Sequence, residues 1–546
     1  MKLKQSAFPL LLLVLLLTAT LSAQPKNQSS KQETPNADAL FVMDKVWTIH
    51  LTITAEDYKK MMPEMPNRGF GPPGQFGPPG PRPGQDVVVP APPQGPPPGG
   101  IETIPRINRL PNLPPGEIGP DGPPNGPPMG PPMGPMMERE YPEVRATFEF
   151  EGKPVGEIGL RYKGNSSFMG SRFNDKRSYK LDFNQFDKKL RFYGLTKLNL
   201  NNNFADPSMM REAIAYEIFR DAGLPGSRTS YARVYLTVKG EKEKQLLGLY
   251  TMVEQVDEKM LARFFKDKNG LLLKPQMVQG LPNLGDDWKP YEKRYGVRSE
   301  GKEAEAKRFI AFTKLVNDAD DKTFAKEISS YLDVKSFARF IVLNSLVANL
   351  DSILSMGQNY YIYHDPEQGR FQFFPWDLNM AFGGFPMAGT SWQQMELSLL
   401  HPHAGEHKLI DRVLDLEGVK KIWLEEARQL LETVYRAEKI NARIDALSKA
   451  IRPAIADESA DALSMFEKAM STTLPDAQSQ LPPDGGGFGG RGFGGPGGPG
   501  GGMGRAQLPL KPFIAKRIET AREQVAEKSL GFVPQRRMGG PGRRPN

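Results

Sequence analysis

Two tracts limit what this chain can pack. From Pro63 to about Met137 it runs through "GFGPPGQFGPPGPRPG" and "GEIGPDGPPNGPPMGPPMGPMM", and from Gly485 to Arg505 it reads "GGGFGGRGFGGPGGPGGGMGR". More than half of the 55 Gly and 51 Pro lie in these tracts. The first holds a few Gly-X-Y triplets, but their phase breaks repeatedly, and a collagen triple helix needs an unbroken repeat. Such composition cannot bury enough apolar area to offset chain entropy. Residues 63–138 and 481–507 are therefore expected to be disordered insertions. Strand-like sequence flanks the first, and an amphipathic helix over 508–530, containing "PLKPFIAKRIETAREQVAEKSL", follows the second, so both interrupt folded structure.

The start, "MKLKQSAFPLLLLVLLLTATLSAQPKNQ", has a Lys2/Lys4 n-region, an apolar run over Phe8–Leu17 and small residues after it. The run is too short to span a bilayer, so residues 1–23 read as a secretory signal peptide cut after Ala23. Residues 24–38 read as a polar linker. The expected protein is secreted, periplasmic or on the cell surface, with no membrane-spanning segment in the mature chain. The sequence has no cysteine. That excludes thiol catalysis, zinc–thiolate sites, disulfides and a lipid-modified cysteine. The net charge of +8 is spread out; its densest patch is the tail "PQRRMGGPGRRPN", read as a solvated end over 531–546 suited to contact with an anionic envelope surface. Nothing resembles a nucleic-acid module.

The remainder divides by pattern. "VWTIHLTI" alternates as a strand and "TAEDYKKMM" follows as a capped helical turn, giving a first piece over 39–62. Residues 139–256 are strand-rich: "EVRATFEFEG", "VGEIGLRYKG", "SYKLDFN", "ARVYLTV" and "LLGLYTMVEQ". One helix, "DPSMMREAIAYEIFRDAGL", breaks the series, with Pro207 expected at its first turn and Gly223 at its end. Residues 257–480 are mainly helical, and "VKSFARFIVLNSLVANL" is apolar nearly all round, as a buried helix would be. The expectation is a two-lobed α+β protein.

The stretch "FQFFPWDLNMAFGG" sets Asp377 among aromatics, and an unpaired buried carboxylate is costly. Upstream, "NLDSILSMGQNYYIYHDPEQGRFQFFPWDLN" places Asp351 at the expected end of the buried helix, Asn359 next, then two strand-like pieces around a Pro-Glu-Gln-Gly turn. A hairpin would return Asp377 towards Asp351 and Asn359. Two carboxylates and an amide oxygen suit magnesium rather than zinc. Phosphoryl transfer uses such a set, with a cation for the phosphates. "RYKGNSSFMGSRFNDKRSYKLDF" supplies candidates: a small polar loop over Asn165–Asn174, then Lys180 mid-strand. A strand lysine followed by a helix carrying Glu212 is the order a kinase lysine–glutamate pair needs.

Together, "LRYKGNSSF", "KRSYKLDF", "LGLYTMVEQVD" and "FPWDLN" resemble the CotH kinase family, atypical secreted or coat-associated protein kinases. The likeness runs from about Val46 to Phe513. It implies a kinase-like fold that phosphorylates protein serines with ATP and a divalent metal, magnesium or alternatively manganese. By that resemblance Asn165, Ser166 and Ser167 belong to the nucleotide loop, Lys180 binds phosphate and Glu212 is its partner. Glu254 and Val256 lie by the adenine, Asp351 is the catalytic acid, Asn359 a metal-binding amide and Asp377 the main metal ligand. The family pattern "PWDLD" becomes "PWDLN" here, so Asn379 offers an uncharged oxygen where an acid is usual. The implied partner is a protein with an exposed serine.

Blander readings stand beside these. Asp377 could cap a turn or pair with an arginine, and Asp351 could be a helix-end acid. Lys163, Lys176 and Arg177 rival Lys180, and Glu217 rivals Glu212. "HPHAGEHKL" clusters His401, His403 and His407, but reads as a loop before a helix with no carboxylate fixed nearby at metal spacing. The aromatics around Asp377 read as core. The alternative to a kinase is a non-catalytic surface protein that keeps the fold and binds a partner.

Overall fold

A computed structural model describes residues 36–63, 141–171, 174–299, 302–475 and 507–535. The expected signal peptide, most of the linker, nearly all of both tracts and residues 536–546 of the basic tail lie outside these described residues.

Seven strands close into a barrel: β1 (Val46–Thr54), β2 (Val144–Phe150), β3 (Lys153–Tyr162), β4 (Tyr179–Asp182), β5 (Lys197–Asn201), β6 (Thr229–Lys239) and β7 (Lys242–Glu254), in the spatial order β1-β2-β3-β4-β5-β7-β6. All pairings are antiparallel except the closing one, where β1 runs parallel to β6 from Val46 opposite Tyr231 to Thr54 opposite Lys239. Period-2 alternation buries one face of β1. Ile49, Leu51, Phe148, Leu160, Leu181, Leu198 and Tyr250 fill the interior as one hydrophobic cluster. The turn after β1 is capped as its sequence implies, Thr54 accepting from the Asp57 N–H at 3.0 Å.

A larger second cluster unites the helices with the outer side of the barrel. A three-stranded antiparallel sheet lies within it, ordered β10-β9-β8: β8 (Leu272–Leu273), β9 (Tyr360–Asp365) and β10 (Arg370–Pro375). Phe371 stacks on Phe312 at 5.3 Å and Phe373 meets Phe337 edge-on at 5.2 Å, so these aromatics are core. The architecture is mixed α+β.

Polar contacts tie the helices to the barrel and to one another. The helix Ala437–Glu458 ends on β7, where Glu458 accepts from Lys176 Nζ at 2.6 Å and from the Leu249 N–H at 2.9 Å. Gly248 makes room for that carboxylate: its φ is +121°, and a Cβ there would lie 2.3 Å from Glu458 Oε2. The helix Arg211–Asp221 starts later than expected, four residues past Pro207, because Asp206 takes over the turn. Its carboxylate accepts from the Arg211 backbone and guanidinium, both at 2.8 Å, and Arg211 also donates to the Leu508 carbonyl at 2.9 Å. Gly223 ends the same helix as expected, with the Leu224 N–H reaching Phe219 O and the Gly223 N–H reaching Arg220 O, each at 3.0 Å. The C-terminal helix Leu510–Val525 donates from buried Arg517 to Ser345 Oγ at 3.0 Å on the helix Val334–Leu346.

Candidate active site

The acids come from the hairpin and from the loop before it. The helix Val334–Leu346 stops short of Asp351, correcting the expectation that Asp351 ends it. The apolar sequence "VANL" could continue a helix, but the Phe382 N–H takes the Val347 carbonyl at 2.6 Å and Ala348 turns to φ +47°. Asp351 therefore lies in a loop, where its Oδ1 accepts from Gln358 Nε2 at 2.7 Å and its backbone carbonyl accepts from Asn359 Nδ2 at 2.9 Å. Burial raises the Asp351 carboxyl to about 6, with the Gln358 hydrogen bond opposing and the Asp377 charge adding to the rise.

The hairpin forms with Tyr360 opposite Pro375, and the Trp376 N–H reaches the Asn359 carbonyl at 2.9 Å. That register carries Asp377 back to the start of β9, beside Asn359. Both residues hold left-handed backbone, φ +57° at Asn359 and +51° at Asp377. Such conformations cost energy in non-glycine residues and gather at functional sites. The Asp377 N–H donates to Tyr216 Oη at 3.0 Å, which fixes the turn against the helix Arg211–Asp221. Asp377 Oδ1 is buried without a hydrogen-bond partner. Burial raises its carboxyl, with Lys163 and Lys274 pulling the other way.

Most of the cations come from one face of the barrel, and Lys274 from the end of β8. Lys180 lies opposite Arg161 and opposite Asn199, so period-2 alternation puts Arg161, Lys163, Lys180, Asn199 and Asn201 on the same outward face. Lys163 follows β3 directly and donates from Nζ to Asn201 Oδ1 at 2.7 Å. Asn201 Nδ2 in turn donates to Glu212 Oε2 at 2.8 Å. Glu212 Oε1 is a second buried oxygen without a partner. Burial and then the Asp377 charge raise Glu212 to about 8, against the Asn201 bond and Lys163. Lys163 is lowered to about 8 by burial, with Asp377 and Glu212 resisting. Its ammonium lies 5.4 Å from the Trp376 ring centre, and that of Lys274 lies 5.8 Å away.

The structure thus joins Glu212 to Lys163 through Asn201, and not to Lys180. Lys180 lies among cations instead: burial, then Arg161 and Lys163, lower it to about 7. Among the described residues no carboxylate reaches it within ion-pair distance. The other rivals serve elsewhere: Lys176 is held by Glu458, and Arg177 lies 5.0 Å over Tyr162. Glu217 pairs with Arg443 at 3.3 Å. Lys274, Tyr216 and Asn201 were not singled out by sequence. Lys274 could have been, as a lone charge closing the apolar run Leu271–Leu273.

The remaining predicted residues are less central. Asn165 precedes a short helix, Ser166–Gly170, which contains Ser166 and Ser167 where a loop was expected, and the Asn165 side chain makes no cap. Glu254 is buried and saturated by two guanidiniums, from Arg228 and Arg263. Val256 is buried beside it, its carbonyl accepting from Gln255 Nε2 at 3.0 Å. Asn379 is half-buried two residues past Asp377.

Two unpartnered carboxylate oxygens facing two lysines make a site built for a charged ligand. The free oxygens of Asp377 and Glu212 are of the donor type that could hold a divalent cation, and Lys163, Lys180 and Lys274 carry the charge that could hold a polyanion. Among the described residues no helix is long and apolar enough to cross a membrane.

Residues 160–476 match the family model described as CotH kinase protein. The chain is also 24% identical over 300 residues to the inner spore coat protein H of Bacillus subtilis (strain 168), covering 53% of this chain and 76% of that protein.

Proposed function

Because the chain belongs to the CotH kinase protein family, we propose that it is an ATP- and magnesium-dependent protein kinase that phosphorylates serine, or threonine, on extracytoplasmic or surface proteins. The observation that carries this reading is the placing of orphaned acid oxygens on Asp377 and Glu212 beside the cations Lys163 and Lys274. In this reading the barrel and the helical part act as the two lobes of a kinase-like fold. Lys163, Lys180 and Lys274 hold the phosphates. Asp377, Asn359 and Asn379, with Glu212 beside them, would hold magnesium, or manganese in its place. Bound metal supplies charge neutralisation on the transferring phosphoryl group. Asp351, with a carboxyl near 6, is ionised at neutral pH yet basic enough to orient the serine hydroxyl and accept its proton. The relative from the spore coat supports a surface location, as does the signal-like N-terminus.

The test is transfer of label from γ-labelled ATP to protein serine by the wild type and by Asp377→Asn. Label in the first and not the second supports the assignment; equal label refutes the role of Asp377 as metal ligand. A second reading is a non-catalytic binding protein on the same fold, favoured by Asn379 in place of an acid. It predicts no transfer with either metal, even where nucleotide binds.

A further inference from the structure

Away from the acid–lysine site, "HPHAGEHKL" folds as the loop expected before the helix Lys408–Leu414. The expectation that no carboxylate is fixed nearby is overturned: Asp411, on the first turn of that helix, comes back against the loop. One ligand atom each from His401, His403 and Asp411 lies within 4.8 Å of the others. We propose that these three residues form a site for a divalent transition metal of the zinc class, separate from the nucleotide chemistry.

The argument turns on His403. Its ring is buried, and Nδ1 lies 2.7 Å from the Gly405 carbonyl. A carbonyl oxygen only accepts, so Nδ1 carries the proton and donates. In the neutral ring Nε2 then presents a lone pair. Another acceptor, Asp411 Oδ1, lies 2.9 Å from that nitrogen. The approach lacks hydrogen-bond alignment, and Nε2 remains a buried atom without a hydrogen-bond partner. Two acceptors held together call for a cation. A ring nitrogen anchored on a backbone carbonyl, with the other nitrogen free to ligate, is the usual state of a metal-bound histidine. His401 is exposed at the mouth of the group as the third ligand, its ring centre 6.5 Å from that of His403. Two imidazoles and one carboxylate suit zinc-like ions rather than magnesium. His407 is no ligand, since its Nδ1 accepts from the Ile410 N–H at 3.3 Å and caps the helix. The site's reach is structural. The Ala404 N–H in the same loop donates to the Leu354 carbonyl at 2.7 Å, in the segment that carries Asp351. A bound ion would clasp that segment from behind.

The experiment uses the full chain stripped with chelator and titrated with zinc chloride, read by calorimetry and by thermal melting. Three proteins are compared: wild type, His401→Ala and Asp377→Asn. His401 is exposed, so its removal leaves the fold intact. The expected result is one zinc equivalent that raises the melting temperature of wild type and Asp377→Asn alike. In His401→Ala its affinity should fall at least tenfold and the rise should disappear. Equal zinc affinity in wild type and His401→Ala overturns the site, because the His403–Asp411 contact would then be a plain ion pair. Loss of all zinc binding in Asp377→Asn alone overturns it as well, by assigning the ion to the other acids.

Discussion

Asp377 gives the sharpest prediction at the scale of single residues. Burial raises its carboxyl, so in the metal-free protein its ionised form costs stability rather than contributing it. Asp377→Asn should therefore melt at the same temperature as the wild type or higher, while phosphotransfer falls at least about a hundredfold, since a metal centre is worth several kcal/mol to such a transition state. Parallel melting curves and label-transfer assays check both halves; a destabilised variant with normal transfer would make Asp377 a turn residue. The lysines give the second prediction. Lys163→Ala and Lys180→Ala should both weaken nucleotide binding, by about tenfold or more for Lys163, because only Lys163 connects through Asn201 to Glu212. Calorimetry with a non-hydrolysable ATP analogue decides, and wild-type affinity in Lys163→Ala would remove it from the phosphate site. The acids were legible in the sequence because a hairpin turn fixes where Asp377 returns. The link from Lys163 to Glu212 was not, because it runs through Asn201 in a strand that the sequence hides.

At the scale of elements, that hidden strand is β5. "KLNLN" has two inward leucines among asparagines and a lysine, a poor β composition that the barrel overrides by pairing it on both sides. The other barrel strands were readable from alternation, as was the β9–β10 hairpin from its turn. The end of the helix Val334–Leu346 was not readable, since a hydrogen bond from distant Phe382 sets it. The barrel's tyrosines yield a pH prediction. Burial holds the Tyr162, Tyr179 and Tyr250 hydroxyls above their ordinary value, and for Tyr162 and Tyr179 neighbouring tyrosines add to the rise. A folded value above the unfolded one means the stability is fully present below the unfolded pKa of about 10 and is lost as pH rises past it. The protein should lose its barrel circular dichroism on alkaline titration in step with tyrosinate absorbance. Tyrosinate appearing at ordinary pH in a still-folded protein would contradict the burial argument.

For the whole molecule, the tracts set the prediction. Deleting Asn67 to Met136 should leave the melting temperature and nucleotide binding close to wild type, because that composition adds no core and a shorter connection is cheap to close. A large fall in melting temperature would show that the tract packs. The parallel seam of the barrel carries a different consequence, one of timing. The first strand, Val46–Thr54, has its closing neighbour in Thr229–Lys239, with the entire proline-rich tract synthesised between them. Pairings so remote in the chain form late and slowly. A polypeptide leaving the ribosome N-terminus first thus cannot shut its barrel until the seventh strand, which joins the fifth to the sixth, has emerged. Until then it stays an open sheet. Once shut, the cylinder exposes no strand edge for a neighbour to extend, so the open, aggregation-prone stage ends at the seam.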